Sequence, residues 1–421
     1  MTRAAHRRPP PLHRCGPTPV KGAPYPAPRA GPSHSSSAGR TAVSDFISTR
    51  RALLAGAAAT TAGLALGPGL VRAAPGPRPR PGSDPVRLFS NENRYGPCEG
   101  AMRAIRDSLH LSSRYAALDA VQSLRRLIAE HEDVSPEHIL LTAGSLEALC
   151  AVAGEYASGG GGVVCAQLTF PALPSFAEHV GGKVTRVPLD ANLAHDLDAM
   201  EAHVSPDTRL VSVCNPSNPT GTIVDPSRLR AFCEAVSTRA TVLVDEVYIH
   251  YLEPAPGQSM VDLVRAGKKV IVARSFSKIY GLAGMRVGYA IAQPDVVKRL
   301  TEWKMALPNP LSVAAAQASL QDAQFVSRMR KLNAESRKVT ASVLDELGLK
   351  YVAGHANFMW ISLSADQLDL PARLAPHGFH VTTVPSTPIP SDISALRLTL
   401  GTVEEMRAFG TALRATLKGR G

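Results

Sequence analysis

One lysine, Lys278, lies in Arg-Ser-Phe-Ser-Lys-Ile-Tyr-Gly-Leu-Ala-Gly-Met-Arg-Val-Gly, residues 274–288. Hydroxyls precede it at Ser275 and Ser277, small residues follow at Gly281, Ala283 and Gly284, and a cation stands at Arg286. An amine attacks a carbonyl only when neutral, so a desolvated site beside another cation would bring the lysine's pKa down into a useful range. A lysine between hydroxyls suits a Schiff base with a phosphorylated aldehyde. Ser275, Ser277 and Arg286 would hold the phosphate, because a guanidinium fork matches a dianion better than an ammonium does. A solvated lysine in an ordinary Ser-Gly loop is the other reading of these residues. The apolar run Val270 to Ala273 and the joint occurrence of all four groups favour the chemical one.

Other reactive positions stand at the ends of apolar runs. Thr241 to Val244 leads into Asp245-Glu246-Val247-Tyr248, which points to a buried carboxylate. Arg209 to Val213 ends in Cys-Asn-Pro-Ser-Asn-Pro-Thr-Gly, residues 214–221, a tight loop beyond a strand's carboxyl end, where α/β proteins bind ligands. Ile139 to Thr142 turns through Gly144 and Ser145 into a helix whose first N–H groups make a phosphate seat. Gly162 to Ala166 leads to Phe170, either a stacking ring or a core side chain. Arg397 interrupts the apolar run Leu396 to Leu400, a costly placement unless it is paired.

Together these motifs resemble those of fold-type I pyridoxal-phosphate (PLP) aminotransferases of class I/II, and are most similar to histidinol-phosphate aminotransferases and their aromatic relatives. The resemblance runs from about Val86 to the C-terminus. It implies that Lys278 carries PLP and shuttles the α-proton, that Asp245 keeps the ring nitrogen protonated, and that Asn218 and Tyr248 donate to the phenolic oxygen. It implies that Phe170 stacks on the ring and that Gly144, Ser145, Ser275, Ser277 and Arg286 surround the phosphate. Tyr115 of Arg114-Tyr115-Ala116 matches a tyrosine that reaches the cofactor phosphate of the neighbouring subunit in a homodimer, although the family's following proline is missing. The turn Asn91-Glu92-Asn93-Arg94-Tyr95-Gly96-Pro97 matches a family turn with proline where Arg94 stands, and makes Asn93 and Tyr95 substrate-pocket residues. Arg397, helped by Asn357, is expected to grip the substrate's anionic group.

The elements that must position these groups follow from apolar spacing. Strands are expected at 139–142, 162–166, 209–213, 241–244 and 270–273, with helices at 99–108, 121–131, 295–306 and 312–347. Alternating strands and helices give an α/β fold: a large PLP-binding domain with a mostly parallel sheet, residues 112–305, and a smaller α+β domain formed by 84–111 and 306–421. The expected reaction moves an amino group between an amino acid or amino-alcohol phosphate, of histidinol-phosphate or aromatic type, and a 2-oxo acid such as 2-oxoglutarate. A PLP-dependent lyase, decarboxylase or oxidase would use nearly the same site residues.

Residues 1–83 carry the whole net charge of +11, with twelve basic residues against Asp45 alone, and the body is neutral. That distribution argues against a nucleic-acid partner for the body. Residues 1–44 are too poor in apolar periodicity to fold. Arg50-Arg51 then opens an Ala/Leu run that ends before Val71-Arg72-Ala73, and resembles a twin-arginine export signal. About fifteen weakly apolar residues fall short of the roughly twenty that span a bilayer, so no stable membrane span is expected. Export would place the enzyme outside the cytoplasm, and an unused signal would leave it inside. The long segment before the arginines, with no methionine between Met1 and Met102, points to a later start, near Val43. Six cysteines without Cys-x-x-Cys spacing give neither a disulfide framework nor a metal site.

Overall fold

The computed structural model describes residues 85–255, 257–384 and 394–418. The expected leader, with its arginine pair and Ala/Leu run, lies outside them. The chain enters through β1 (Val86–Arg87), turns through Asn91–Pro97, and forms α1 (Glu99–Ser108) and α2 (Leu118–Glu132). It continues through β2 (Ile139–Thr142), α3 (Ser145–Ala157), β3 (Gly162–Ala166), α4 (Ala172–His179), β4 (Lys183–Val187), α5 (Leu197–Ala202) and β5 (Thr208–Cys214). Next come α6 (Pro226–Val236), β6 (Thr241–Asp245), α7 (Val261–Arg265), β7 (Val270–Ser275) and β8 (Gly288–Ile291). These strands form one seven-stranded sheet in the order β2-β8-β7-β6-β5-β3-β4. It is parallel except for β8, which runs against both β2 and β7.

The central strands are apolar on both faces, as a sheet covered by helices on each side requires. Val242 and Val244 of β6 join one core with Val270 and Val272 of β7, while Leu243, Ile271 and Ala273 join the core on the opposite face. β4 is an edge strand, Lys-Val-Thr-Arg-Val, with only its last residue buried, so apolar spacing does not reveal it. β8 begins at Gly288, the last residue of the glycine-rich lysine motif, and is only four residues long.

Beyond the sheet, α8 (Pro294–Thr301) and α9 (Pro310–Gln321) precede the long α10 (Ala323–Glu346). A single helix was expected over 312–347. It breaks at Asp322, whose side chain caps α10 by accepting from the Phe325 N–H and so starts a new helix. The chain closes with β9 (Tyr351–Val352), β10 (Phe358–Ser362), α11 (Leu370–Leu374), β11 (Phe379–His380), β12 (Ala395–Thr399) and α12 (Val403–Lys418). The antiparallel sheet β12-β10-β9 and the parallel pair β1–β11 give the smaller α+β layer its own core, which includes Leu88, Met359, Leu398 and Phe409.

The expected domain limits shift. Ala101 of α1 and Val313, Ala315 and Ala316 of α9 pack in a core of the large sheet, not in the smaller one. Helix α10 joins the two, with Phe325 and Met329 in the large core and Val343 and Leu344 in the small one. Arg94, standing where the resembling families have proline, pairs with Glu405 of α12 at 2.7 Å. Tyr95 accepts from the Val403 N–H through its hydroxyl. The entry turn is thereby strapped to the last helix.

Candidate active site

A cavity of about 290 Å³ opens beyond the carboxyl ends of the parallel strands, and its lining includes Asp245, Asn218, Tyr248, Lys278, Arg286 and Arg397. Asp245, Asn218 and Lys278 stand at or just past strand ends, whereas Arg397 sits within β12. Asp245 is the last residue of β6, in register with Cys214 of β5 and Ala273 of β7, and all five residues of that strand are buried. Lys278 stands three residues past the end of β7. Beneath it, Arg274 is buried between Glu246 at 2.8 Å and Glu132 at 3.4 Å, and Glu132 also accepts from the Tyr289 hydroxyl. This charge cluster ties β6, β7, β8 and α2 together directly below the cavity. Removing one partner would leave a buried charge uncompensated, at a cost of about 3–5 kcal/mol.

The electrostatics of the site are set by burial. Asp245 has no ion-pair partner among the described residues; its carboxylate accepts from the Val247 N–H at 3.3 Å and lies 3.9 Å from the Cys214 thiol. Desolvation pushes its pKa up to about 7, opposed by that N–H and by the charge of Lys278. Lys278 is brought down to about 8, first by burial and then by the cation of Arg397, with Arg286 contributing less and Asp245 opposing. The expected cationic neighbour was Arg286; Arg397, remote in sequence, is the stronger influence. Burial also pushes the Tyr248 hydroxyl upward, so it stays a proton donor.

One corner of the cavity combines a helix start with a cation. Gly144 takes φ +80° as the cap of α3, and a Cβ there would run into the Arg286 guanidinium. Arg286 itself adopts φ +54° and donates to the Ala283 and Ala143 carbonyls. Ser145 and Ser277 line the same wall, whereas the buried Ser275 faces inward and accepts from the Ser277 N–H at 3.0 Å. Phe170 is part-buried and lines the cavity. On the opposite side, Arg397 donates to Asn218 Oδ1 at 2.8 Å and to the Phe89 carbonyl at 2.6 Å, leaving its buried Nε without a partner.

Some expected site residues stand elsewhere. Asn93 donates to the Ile279 carbonyl at 2.7 Å, and Asn357 donates to the Asn91 carbonyl at 3.0 Å. With Tyr95 they line a small crevice behind the cavity wall, so they brace the entry turn and do not face the cavity. Ser90, Asn91 and Glu92 line the cavity in place of the expected Asn93 and Tyr95. Tyr115 does not line the cavity within one chain and is 89% exposed.

The residues fit PLP. A glycine keeps the phosphate corner open beside a helix start and an arginine, a lysine held near neutrality faces it, and a buried carboxylate without a cationic partner waits at the far end for a protonated ring nitrogen.

The sequence matches the family described as aminotransferase class I and II over residues 83–413. It is 36% identical to a histidinol-phosphate aminotransferase of Moorella thermoacetica over 340 residues, covering 79% of this chain and 86% of that one. It is 35% identical to an aromatic amino acid aminotransferase of Mycobacterium sp. strain KMS over 335 residues, covering 77% and 90%. The fold is similar to that of histidinol-phosphate aminotransferase from Sinorhizobium meliloti in complex with pyridoxal-5'-phosphate, with a TM-score of 0.73, 24% identity, and 80% and 92% of the two chains covered.

Proposed function

The chain belongs to the class I and II aminotransferase family, and from that premise we propose that this PLP-dependent transaminase takes its amino group from a donor of the histidinol-phosphate or aromatic amino acid type and delivers it to a 2-oxo acid such as 2-oxoglutarate. The observation that carries the reading is the convergence of Lys278, Asp245 and Arg397 on one cavity, with the lysine held down toward neutrality by burial and the arginine.

When bound, PLP supplies an aldehyde for the lysine to capture and a ring that takes up the electron pair released at the α-carbon. Ser145, Ser277 and Arg286 hold the phosphate at the start of α3. Asp245 holds a proton on the ring nitrogen; with that cation beside it the carboxylate regains the charge that burial discourages. Tyr248 and Asn218 direct hydrogen bonds at the phenolic oxygen. Phe170 covers one ring face and excludes water. With its pKa brought down to about 8, Lys278 has a large neutral fraction near pH 8 and would move the α-proton as base and then acid. Arg397, which lines the cavity, binds the anionic group of the donor.

The site is shared in a homodimer on this reading. Tyr115, Leu118, Met305 and Leu307 are 70–89% exposed, and Leu146, 44% exposed, stands next to Ser145 at the cavity wall. Exposed apolar side chains such as these suit burial by a partner subunit, whose Tyr115 counterpart would complete the phosphate corner. The leader adds an export step by the twin-arginine route, resting on Arg50-Arg51 and the run behind them. Replacing both arginines with lysine should retain the protein in the cytoplasm, and unchanged fractionation would reduce the leader to a linker.

The test of the activity is a donor screen on the purified enzyme with PLP and 2-oxoglutarate. Glutamate should form with histidinol phosphate or an aromatic amino acid. Carbon dioxide, ammonia or peroxide as the product, without glutamate, would overturn transamination.

A further inference from the structure

Asn91 occupies an unusual position. It is 2% exposed, adopts φ +54°, and engages all four of its polar groups. Its N–H donates to Thr399 Oγ1 at 2.9 Å and its carbonyl accepts from Asn357 Nδ2 at 3.0 Å. Its side-chain oxygen accepts from the Thr399 hydroxyl at 3.2 Å, while its side-chain amide donates to the Tyr248 hydroxyl at 2.9 Å. The left-handed backbone explains why an asparagine serves here: its short polar side chain tolerates that conformation better than most others.

The direction of the amide is fixed by what surrounds it. Thr399 is fully buried, and Asn91 Oδ1 takes its proton. Turning the amide over would leave that proton without an acceptor and place the Asn91 oxygen against Tyr248. A buried donor left without an acceptor is costly, so the observed direction is strongly preferred. The phenolic oxygen of Tyr248 therefore accepts from Asn91, and also from Asn218 Nδ2 at the long distance of 3.5 Å. Both contacts occupy lone pairs, and neither offers an acceptor. The hydroxyl proton is left to point into the cavity that Tyr248 lines with Lys278 and Asp245.

We infer that Asn91 is a positioning residue for the reaction: it locks the Tyr248 hydroxyl as a donor aimed at the cofactor's phenolic oxygen, and through Thr399 it ties that orientation to β12, the strand that carries Arg397. This rests on the reading of Tyr248 as the phenolic-oxygen donor. The wrong orientation has a chemical cost. A Tyr248 proton turned toward a protein acceptor would leave two lone pairs facing each other across the cavity, and negative charge on the phenolic oxygen would go unsupported. Supporting that charge makes a proton on the neighbouring lysine–cofactor nitrogen easier to lose. Losing the support moves the pH of the visible colour change upward.

The experiment uses the PLP-loaded enzyme and reads that pH, with kcat as a second measure. Asn91→Gly keeps the backbone conformation and both backbone hydrogen bonds and removes the amide alone. It should raise the transition by roughly 0.4–1 pH unit and lower kcat about fivefold, the weight of one neutral hydrogen bond. Donor KM should change little, because Asn91 touches neither Arg397 nor the phosphate corner. Tyr248→Phe should raise the transition further, and Asn91→Gly added to it should do nothing more. Asn91→Asp, which keeps the shape but accepts a proton where the amide donates, covers the case of a glycine variant that fails to fold; its shift should shrink when Tyr248 is phenylalanine. If Tyr248→Phe shifts the transition while the Asn91 variants leave it in place, or if their effects persist undiminished without the hydroxyl, the inference is overturned. If Tyr248→Phe itself leaves the transition unmoved, the assignment of Tyr248 fails first.

Discussion

Replacing Asp245 with asparagine should make the cofactor-free protein more stable while impairing its function. The carboxyl group is 5% exposed, has no ion-pair partner among the described residues, and is pushed by burial from its ordinary 3.8 up to about 7. The folded protein therefore keeps a proton that the unfolded chain releases between those values. Stability from this group is fully present below the lower value and is lost as pH rises toward 7. At about 1.4 kcal/mol per pH unit the full penalty near pH 8 is about 4 kcal/mol, reduced to about 2–4 kcal/mol where water and relaxation ease the buried charge. Asparagine does not ionise and escapes it. Urea unfolding of the cofactor-free proteins should show the variant ahead by that amount near pH 8, with the gap closing as pH falls toward 4. In the loaded enzyme the order should reverse, because the carboxylate gains a cationic partner that the amide cannot hold. A stability gap that ignores pH, or a variant less stable than wild type near pH 8, would refute the picture of Asp245 as a charge awaiting its partner.

Arg397→Ala should chiefly raise KM for anionic donors, by the equivalent of about 2–5 kcal/mol if a desolvated charge pair is lost. Because the Arg397 cation helps to hold Lys278 down, the same variant should move the lysine's ionisation upward, displacing the pH profile of PLP capture to higher pH. An unchanged KM would remove Arg397 from substrate binding. Mixing inactive Tyr115→Ala and Lys278→Ala proteins under subunit-exchange conditions should restore part of the activity through one intact shared site per heterodimer. No recovery despite proven exchange would place Tyr115 outside the site.

Much of this architecture is legible in the chain because Asp245, Asn218 and Lys278 follow apolar runs, whereas Arg397 interrupts one. Val242 to Val244 announces the burial of Asp245, Val270 to Ala273 that of the lysine loop, and the mostly parallel sheet follows from the spacing of those runs. What is not legible depends on contacts between distant residues. The pairing of β1 with β11 and of Arg94 with Glu405 joins segments about three hundred residues apart, and no local pattern encodes either. For the same reason the cation that most lowers Lys278 is Arg397 and not its sequence neighbour Arg286. The turn at 91–97 shows a finer limit. Its Asn, Gly and Pro content marks a turn but leaves open which asparagine faces the cavity, since that depends on the φ +54° at Asn91. Asparagine tolerates a left-handed backbone, but both Asn91 and Asn93 carry that preference, so it does not choose between them.

The central claim is that Lys278 is the residue that holds PLP. Borohydride reduction of the loaded enzyme, followed by proteolysis and mass mapping, tests it most directly. One phosphopyridoxyl label is expected, on the peptide carrying Lys278, with loss of both label and visible absorbance in Lys278→Ala. A label on another lysine, or its survival in that variant, would contradict it.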